Sequence, residues 1–257
     1  MPRLAANLSM MFNEWPFLDR FAAAAAAGFT AVEFLFPYDY RPEEIAGRLA
    51  SNNLQIALFN LPPGDWVKGE RGLAVLPGRH VEFRASVGQA LEYAIAANAR
   101  SLHMMAGIAA TADAAAGVAY RQALVFAAEA AAPHGIDIMI EPINGRDMPG
   151  YFLNDFRLAE TIINELALAN VKLQFDIYHR QIIHGDVIRG LETLVPLIGH
   201  VQIASVPQRH EPGTGELDDF RLFATLDDLG YRGFVGCEYR PAAATLEGLA
   251  WLERLHS

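Results

Sequence analysis

The sequence predicts a (β/α)8 barrel, the TIM-barrel class of α/β fold, and three observations predict it. Eight short β-prone runs alternate with longer Ala/Leu-rich helical runs along the whole chain. The 257 residues are close to the roughly 250 of such a barrel. The other architecture built from repeated βα units is a doubly wound sheet. That sheet usually has about five or six strands and carries a glycine-rich phosphate loop. Neither GxGxxG nor GxxxxGK followed by Ser or Thr occurs here.

The elements follow in order. Leu4–Leu8 is the first β-prone run. A helix follows in which Phe17, Phe21, Ala24 and Ala25 repeat at helical spacing before the stop at Gly28. Ala31–Phe36 comes next, and then Pro42, whose fixed φ suits a first helical turn. Gln55–Asn60 precedes helix Phe83–Ala97, Ser101–Met105 precedes Ala119–Pro133, and Ile136–Glu141 precedes Asp155–Leu168. Val171–Asp176 precedes Ile188–Leu197, His200–Ala204 precedes Asp219–Leu229, and Phe234–Glu238 precedes Leu246–Leu255. Runs this short and apolar suit parallel strands buried on both faces. The Ala-rich stretches Ala22–Ala27 and Ala109–Ala116 read as helix surface or helix–barrel packing. No linker or composition shift interrupts the pattern, so residues 1–257 read as one barrel domain. One connection is abnormal. The segment between Asn60 and Phe83 far exceeds the usual βα connection of about 2–6 residues, and a loop of that length in a barrel is a candidate lid.

Composition excludes several classes. Hydrophobic residues make up 52% of the chain, enough for a packed core, which excludes a disordered protein. Lys plus Arg is 20 and Asp plus Glu is 30, a formal charge of −10 that repels nucleic-acid phosphates. The single cysteine, Cys237, allows no internal disulfide or cysteine-cluster metal site, and reads as core. No signal peptide and no long apolar span stand out. The sequence therefore reads as a soluble cytoplasmic protein with a small-molecule substrate and with no nucleic-acid or membrane partner. It is compatible with a homodimer.

Reactive groups in these barrels gather at the C-terminal ends of the strands. There the fifth run ends at Glu141, the sixth at Asp176 and the eighth at Glu238, while the seventh carries Gln202. A single strand-end acid reads equally well as a helix cap or an ion-pair partner. Four such groups on four adjacent strands point further. Three carboxylates converging in an apolar barrel cannot all stay ionised without a counter-charge. A divalent cation supplies it. An oxygen-only set of two Glu, one Asp and one Gln suits Mg²⁺ or Mn²⁺ better than Zn²⁺.

Several segments resemble the hydroxypyruvate isomerase family of the xylose isomerase-like barrels. They are AANLSMMF at 5–12, AVEFLFPY at 31–38, LFN and PPGDW across 58–66, GERGLAVLPGR at 69–79 and EPIN at 141–144. QFDIYHRQ at 174–181, HVQIASVPQRHEPGTGEL at 200–217 and GCEYRP at 236–241 complete the match. The resemblance implies an isomerase that interconverts hydroxypyruvate and tartronate semialdehyde. Close relatives isomerise 2-oxo-tetronate, and distant ones epimerise free ketoses. By position, Glu141 and Glu238 match the family's proton donor/acceptor glutamates and also belong to its metal site. Asp176 and Gln202 match the remaining metal positions. Gln202 stands where the wider superfamily often has His, which argues against the ketose epimerases and the endonuclease IV-like nucleases. The chemistry agrees with the residues. Moving a proton between adjacent carbons needs a base, an acid and charge stabilisation on the oxygens.

Further candidates for substrate contact are His179, Arg209, Asn60, His103, Asp147, and Trp66 and Lys68 of the long loop. Arg209 is the candidate for a substrate carboxylate, because Arg binds carboxylates through two parallel hydrogen bonds. His210 lies beside it. Arg240, two residues beyond Glu238, is a candidate to orient that carboxylate. Phe12, Phe34, Phe36 and Tyr38 read as packing or pocket wall. The alternatives to a hydroxy-keto acid isomerase are a ketose 3-epimerase, a non-catalytic binding barrel and a DNA-repair nuclease.

Overall fold

Eight parallel strands close into a barrel in the computed structural model, which describes residues 2–255. The strands are β1 (Arg3–Asn7), β2 (Ala31–Phe34), β3 (Gln55–Asn60), β4 (Ser101–His103), β5 (Asp137–Ile140), β6 (Val171–Asp176), β7 (Ile198–Ile203) and β8 (Phe234–Cys237). They are hydrogen-bonded in chain order, and β8 closes on β1 with Ala5 opposite Gly236. The helices are α1 (Phe17–Ala26), α2 (Pro42–Ser51), α3 (His80–Ala97), α4 (Ala114–Ala131), α5 (Phe156–Leu166), α6 (Ile177–Ile183), α7 (Val187–Leu194) and α8 (Asp219–Asp228).

Alternation along each strand sorts the side chains. On β5, Ile138 and Ile140 join the main core under the helices, while Glu141 follows at the strand's end. On β7 and β8, Val201, Ile203, Val235 and Cys237 do the same, so Cys237 is core as expected. Inside the barrel, Ala5, Ala31 and Ala57 form a small separate apolar layer. Above it the interior turns polar.

Several boundaries differ from the sequence reading, for local reasons. Helix α4 starts earlier than expected, because the Asp113 carboxylate accepts hydrogen bonds from Ala115 and Ala116 N–H and caps it. Helix α3 starts at His80, so the long connection runs over 61–79. Helix α6 was not anticipated; the Asp176 carboxylate caps it by accepting His179 N–H at 3.1 Å. The last expected helix is a 3₁₀ segment, Glu247–Leu255.

The long loop is seated at its base. Val75 N–H donates to Ala106 C=O at 3.0 Å. Gly72, at φ +115°, crosses the backbone after β4 so closely that a Cβ there would lie 2.2 Å from Met105 O. The tip, by contrast, is open, and Val67 is almost fully exposed.

Candidate active site

The polar interior has two levels. The lower one centres on Glu33 of β2. Its carboxylate accepts hydrogen bonds from Asn7 Nδ2 at 2.9 Å and Gln202 Nε2 at 2.8 Å, and pairs with His200 Nε2 at 2.7 Å. All four side chains are buried. Glu33 lies against the backbone of β8, where a Cβ on Gly236 would sit 2.1 Å from Glu33 Oε2. Gln202 also accepts Gln174 Nε2–H at 2.6 Å on Oε1. Both ends of its amide are thus engaged in this level, and Oε1 keeps one lone pair.

The upper level holds the strand-end acids. Glu141 and Asp176 come together with His179 of α6, each offering an atom within 4.8 Å of the others. His179 Nε2 is 3.8 Å from Glu141 Oε1 and 3.8 Å from Asp176 Oδ2, and His103 Nε2 is 3.7 Å from Glu141 Oε2. Glu238 follows β8 and reaches toward Asn7 Nδ2 at 3.5 Å. Arg209 binds this group from above. Its Nη2 donates to Glu238 Oε2 and to Asp176 Oδ2 at 3.4 Å, and its Nη1 to Asp147 Oδ2 at 3.4 Å. Arg209 sits at φ +58°, an uncommon backbone region for a residue with a Cβ. Its guanidinium also lies over the Tyr178 ring at 4.8 Å.

The electrostatics of this level are strained toward neutrality. Burial first, then Glu238 and Asp176, pushes the Glu141 carboxyl well above the usual carboxylate range. Burial also raises Glu238 and Asp176, with Arg209 opposing it at both. Burial, then Arg209, holds His179 well below the usual imidazole value. Burial, then His200, lowers His103 to about 3. Glu141 Oε1 and both ring nitrogens of His103 are buried without a hydrogen-bond partner. Three hard carboxylates short of positive charge, one with an unpartnered oxygen, fit a divalent cation.

Donor chemistry separates His179 from these oxygens. Its Nδ1 faces Asn144 Nδ2 at 2.6 Å and accepts the Asn144 backbone N–H at 3.3 Å. The Asn144 amide is fixed in that sense, because its Oδ1 accepts Arg146 and Asp147 N–H. The ring proton of neutral His179 therefore lies on Nε2, toward Glu141 and Asp176. That nitrogen is a donor and does not offer a metal its lone pair.

A cavity of about 450 Å³ opens above this level. Glu141, Glu238, His103, His179, Arg209 and Asp147 line it, and Asn60, Trp66, Arg71 and Arg240 complete its rim and wall. Of the residues expected at the site, Lys68 turns away. Its Nζ pairs with Asp65 at 2.8 Å and its side chain is 82% exposed. His210, whose Nδ1 meets Arg240 O at 2.8 Å, does not line the cavity. Asp176 and Gln202 lie deeper than the cavity wall. Arg209, not Arg240, holds the Glu238 carboxylate. The sequence reading missed Glu33, Asn7, Gln174, Asn144, Tyr178 and Arg71. Asn7 and Glu33 did carry a signal, since each is a polar residue inside an apolar β-prone run. Arg71 and Tyr178 carried none beyond their loop or mouth position.

No helix is long and apolar enough to cross a membrane among the described residues. The model of the xylose isomerase-like TIM barrel family matches residues 21–255. The chain is 57% identical over 255 residues to the 2-oxo-tetronate isomerase of Cupriavidus necator, covering 98% of each. It is 43% identical over 260 residues to the hydroxypyruvate isomerase of Escherichia coli K12, covering 98% of this chain and 99% of that one. A crystal structure from Brucella melitensis, described as an AP endonuclease of family 2, superposes with a TM-score of 0.96 at 50% identity, covering 99% of each chain. An L-ribulose 3-epimerase superposes with a TM-score of 0.77 at 22% identity, a likeness of fold. With a family model over most of its length and isomerases among its full-length relatives, this chain belongs to the xylose isomerase-like TIM barrel family and is an isomerase-type enzyme of it.

Proposed function

We propose that the protein isomerises a small hydroxy-keto acid by proton transfer between Glu141 and Glu238. The observation that carries this reading is that these two carboxylates line one cavity with Asp176 beside Glu141 just beneath it, Glu141 having an unpartnered oxygen. The 57% identity to a 2-oxo-tetronate isomerase supports that acid first and hydroxypyruvate second, reversing the order of the sequence reading.

Glu141, Asp176, Glu238 and the free lone pair of Gln202 Oε1 would hold a divalent cation, Mg²⁺ or Mn²⁺. When bound, that cation supplies Lewis-acid polarisation of the substrate's carbonyl and hydroxyl oxygens. One glutamate, as carboxylate, removes the proton from the carbinol carbon. The other, as carboxylic acid, delivers a proton to the former carbonyl carbon. The hydroxyl proton passes between the two substrate oxygens, so the product is an isomer with no net gain or loss. Burial raises both carboxyls; the charges of Glu238 and Asp176 add to it at Glu141, while Arg209 opposes it at Glu238, so the two groups sit in different environments, as an acid and base pair requires. His179 Nε2–H faces the same space and donates to a substrate oxygen. Arg209 holds Glu238 and Asp176 in place and limits their repulsion.

The test is proton NMR in D₂O of Mn²⁺- or Mg²⁺-loaded protein, quenched and stripped of metal before acquisition, against 2-oxo-tetronate, hydroxypyruvate and D-fructose in parallel. Isomer with solvent deuterium on the former carbonyl carbon from an acid supports the reading. Turnover of fructose alone replaces it with epimerisation. Cleavage of abasic-site DNA with all three sugars and acids untouched replaces it with the activity named for the Brucella relative.

A further inference from the structure

We infer that Arg71 takes the substrate's carboxylate and so selects keto acids over neutral sugars. The inference deepens the isomerase reading and rests on it for the identity of the substrate. A carboxylated substrate brings a negative charge into a cavity already lined by Glu141, Asp147 and Glu238, with Asp176 beneath them, in a chain of net charge −10. It therefore needs a cation that is not already committed. Arg209 is committed, to Glu238, Asp176 and Asp147.

Arg71 lines the same cavity and has no carboxylate partner among the described residues. Its neighbour Glu70 could have neutralised it, but that carboxylate is turned to Arg79 Nη1 at 2.6 Å and Asp65 N–H at 2.6 Å. The Arg71 guanidinium lies over the Trp66 ring with Cζ 3.8 Å from its centroid. Its Nη1 donates to Trp66 O at 3.0 Å and Glu70 O at 2.7 Å. Those two bonds use both Nη1 hydrogens. The Nε and Nη2 edge keeps three donors in the planar fork that matches a carboxylate. The next residue, Gly72, pins the backbone under Met105 O, so the head group is preset rather than loose. The long loop thus brings a stacked, half-saturated guanidinium to the wall of the cavity. Arg240, also on that wall without a carboxylate partner, serves as the comparison.

The experiment titrates glycerate, a hydroxy acid with no carbonyl to isomerise, into Mn²⁺-loaded protein by calorimetry. Mn²⁺ affinity and turnover of 2-oxo-tetronate and hydroxypyruvate are measured alongside. For Arg71→Met, glycerate affinity falls about 10- to 100-fold, as loss of a charge-assisted contact implies. KM for the keto acid rises in step, while Mn²⁺ affinity stays within twofold of wild type. Arg71→Lys keeps the charge but not the fork and loses several-fold; this variant decides the matter should Arg71→Met not fold. Arg240→Met changes glycerate affinity less than Arg71→Met does. Glycerate binding unchanged in both Arg71 variants overturns the inference, and so does a parallel loss of Mn²⁺ affinity. Wild-type protein that binds glycerate through Arg71 but turns over neither acid keeps the anion site and removes the isomerase reading. Turnover in the wild type with Arg71→Met unchanged does the reverse.

Discussion

Glu33 and Glu141 are both buried glutamates of the barrel interior, one level apart, and their surroundings are opposite. Glu33 accepts from Asn7 and Gln202 and pairs with His200, all at hydrogen-bond distance. Glu141 has one oxygen with no partner and two histidines beyond 3.5 Å. A buried charge that is fully partnered behaves as part of the scaffold. One left short of partners marks a place built to receive something. The lower level therefore reads as the floor and the upper level as the site.

Replacing carboxylates at the two levels separates these roles, and the largest effects are on turnover. Glu141→Gln or Glu238→Gln lowers kcat by about 10²- to 10⁴-fold, the usual contribution of a general acid or base. Thermal melting of the metal-free protein stays near wild type for Glu141→Gln, whose charge burial already disfavours, and falls modestly for Glu238→Gln, which weakens the pair with Arg209. Near-normal activity in either variant breaks the assignment. Glu33→Ala works in the opposite sense. It strands His200, Asn7 and Gln202 and costs about 3–5 kcal/mol of stability, read by urea unfolding. Unchanged stability there means that Glu33 does not hold the lower level together.

Metal removal sharpens the comparison. Saturating Mn²⁺ raises the melting temperature of EDTA-treated wild type, as expected for a ligand that binds the folded state alone; at about 100 times Kd the gain is about 2.7 kcal/mol. Glu141→Gln and Asp176→Asn reduce or abolish that rise. An equal rise in all three proteins places the cation elsewhere.

Two smaller effects lie outside the paired levels. Asp219 is buried and caught under Gly213, and burial raises its pKa to about 6. Because the folded-state value lies above the unfolded one, its ionisation costs stability. Relative stability is full below about pH 4 and is lost as pH rises through about 6. Asp219→Asn therefore gains in melting temperature at pH 7 relative to wild type and not at pH 3.5; an equal change at both pH values contradicts this. Lys68→Ala leaves KM within about twofold, because Lys68 pairs with Asp65 in solvent and an exposed pair contributes little.

The barrel was legible because each strand is an apolar run with a helix behind it. The acids Glu141, Asp176 and Glu238 were legible because each ends such a run. Glu33 stood out only as a lone acid inside the apolar run AVEFLF; its partners His200 and Gln202 are far away in sequence, and closure of the barrel brings them to it. Helix α6 was hidden because its seven residues follow β6 without a break and depend on a cap from Asp176, the same side chain that faces the site. The long loop was visible as an insertion, but residue type alone does not say which side chain turns inward. Lys68 turns out and Arg71 turns in, because Arg71 has Trp66 to lie on.

The most direct test of the two-level account is the anomalous scattering of Mn²⁺ in crystals of the protein soaked with that ion. The account predicts a peak bonded to carboxylate oxygens of Glu141 and Asp176, with Glu33 still paired to His200 below it. No peak at saturating Mn²⁺, or a peak on Glu33, would contradict it.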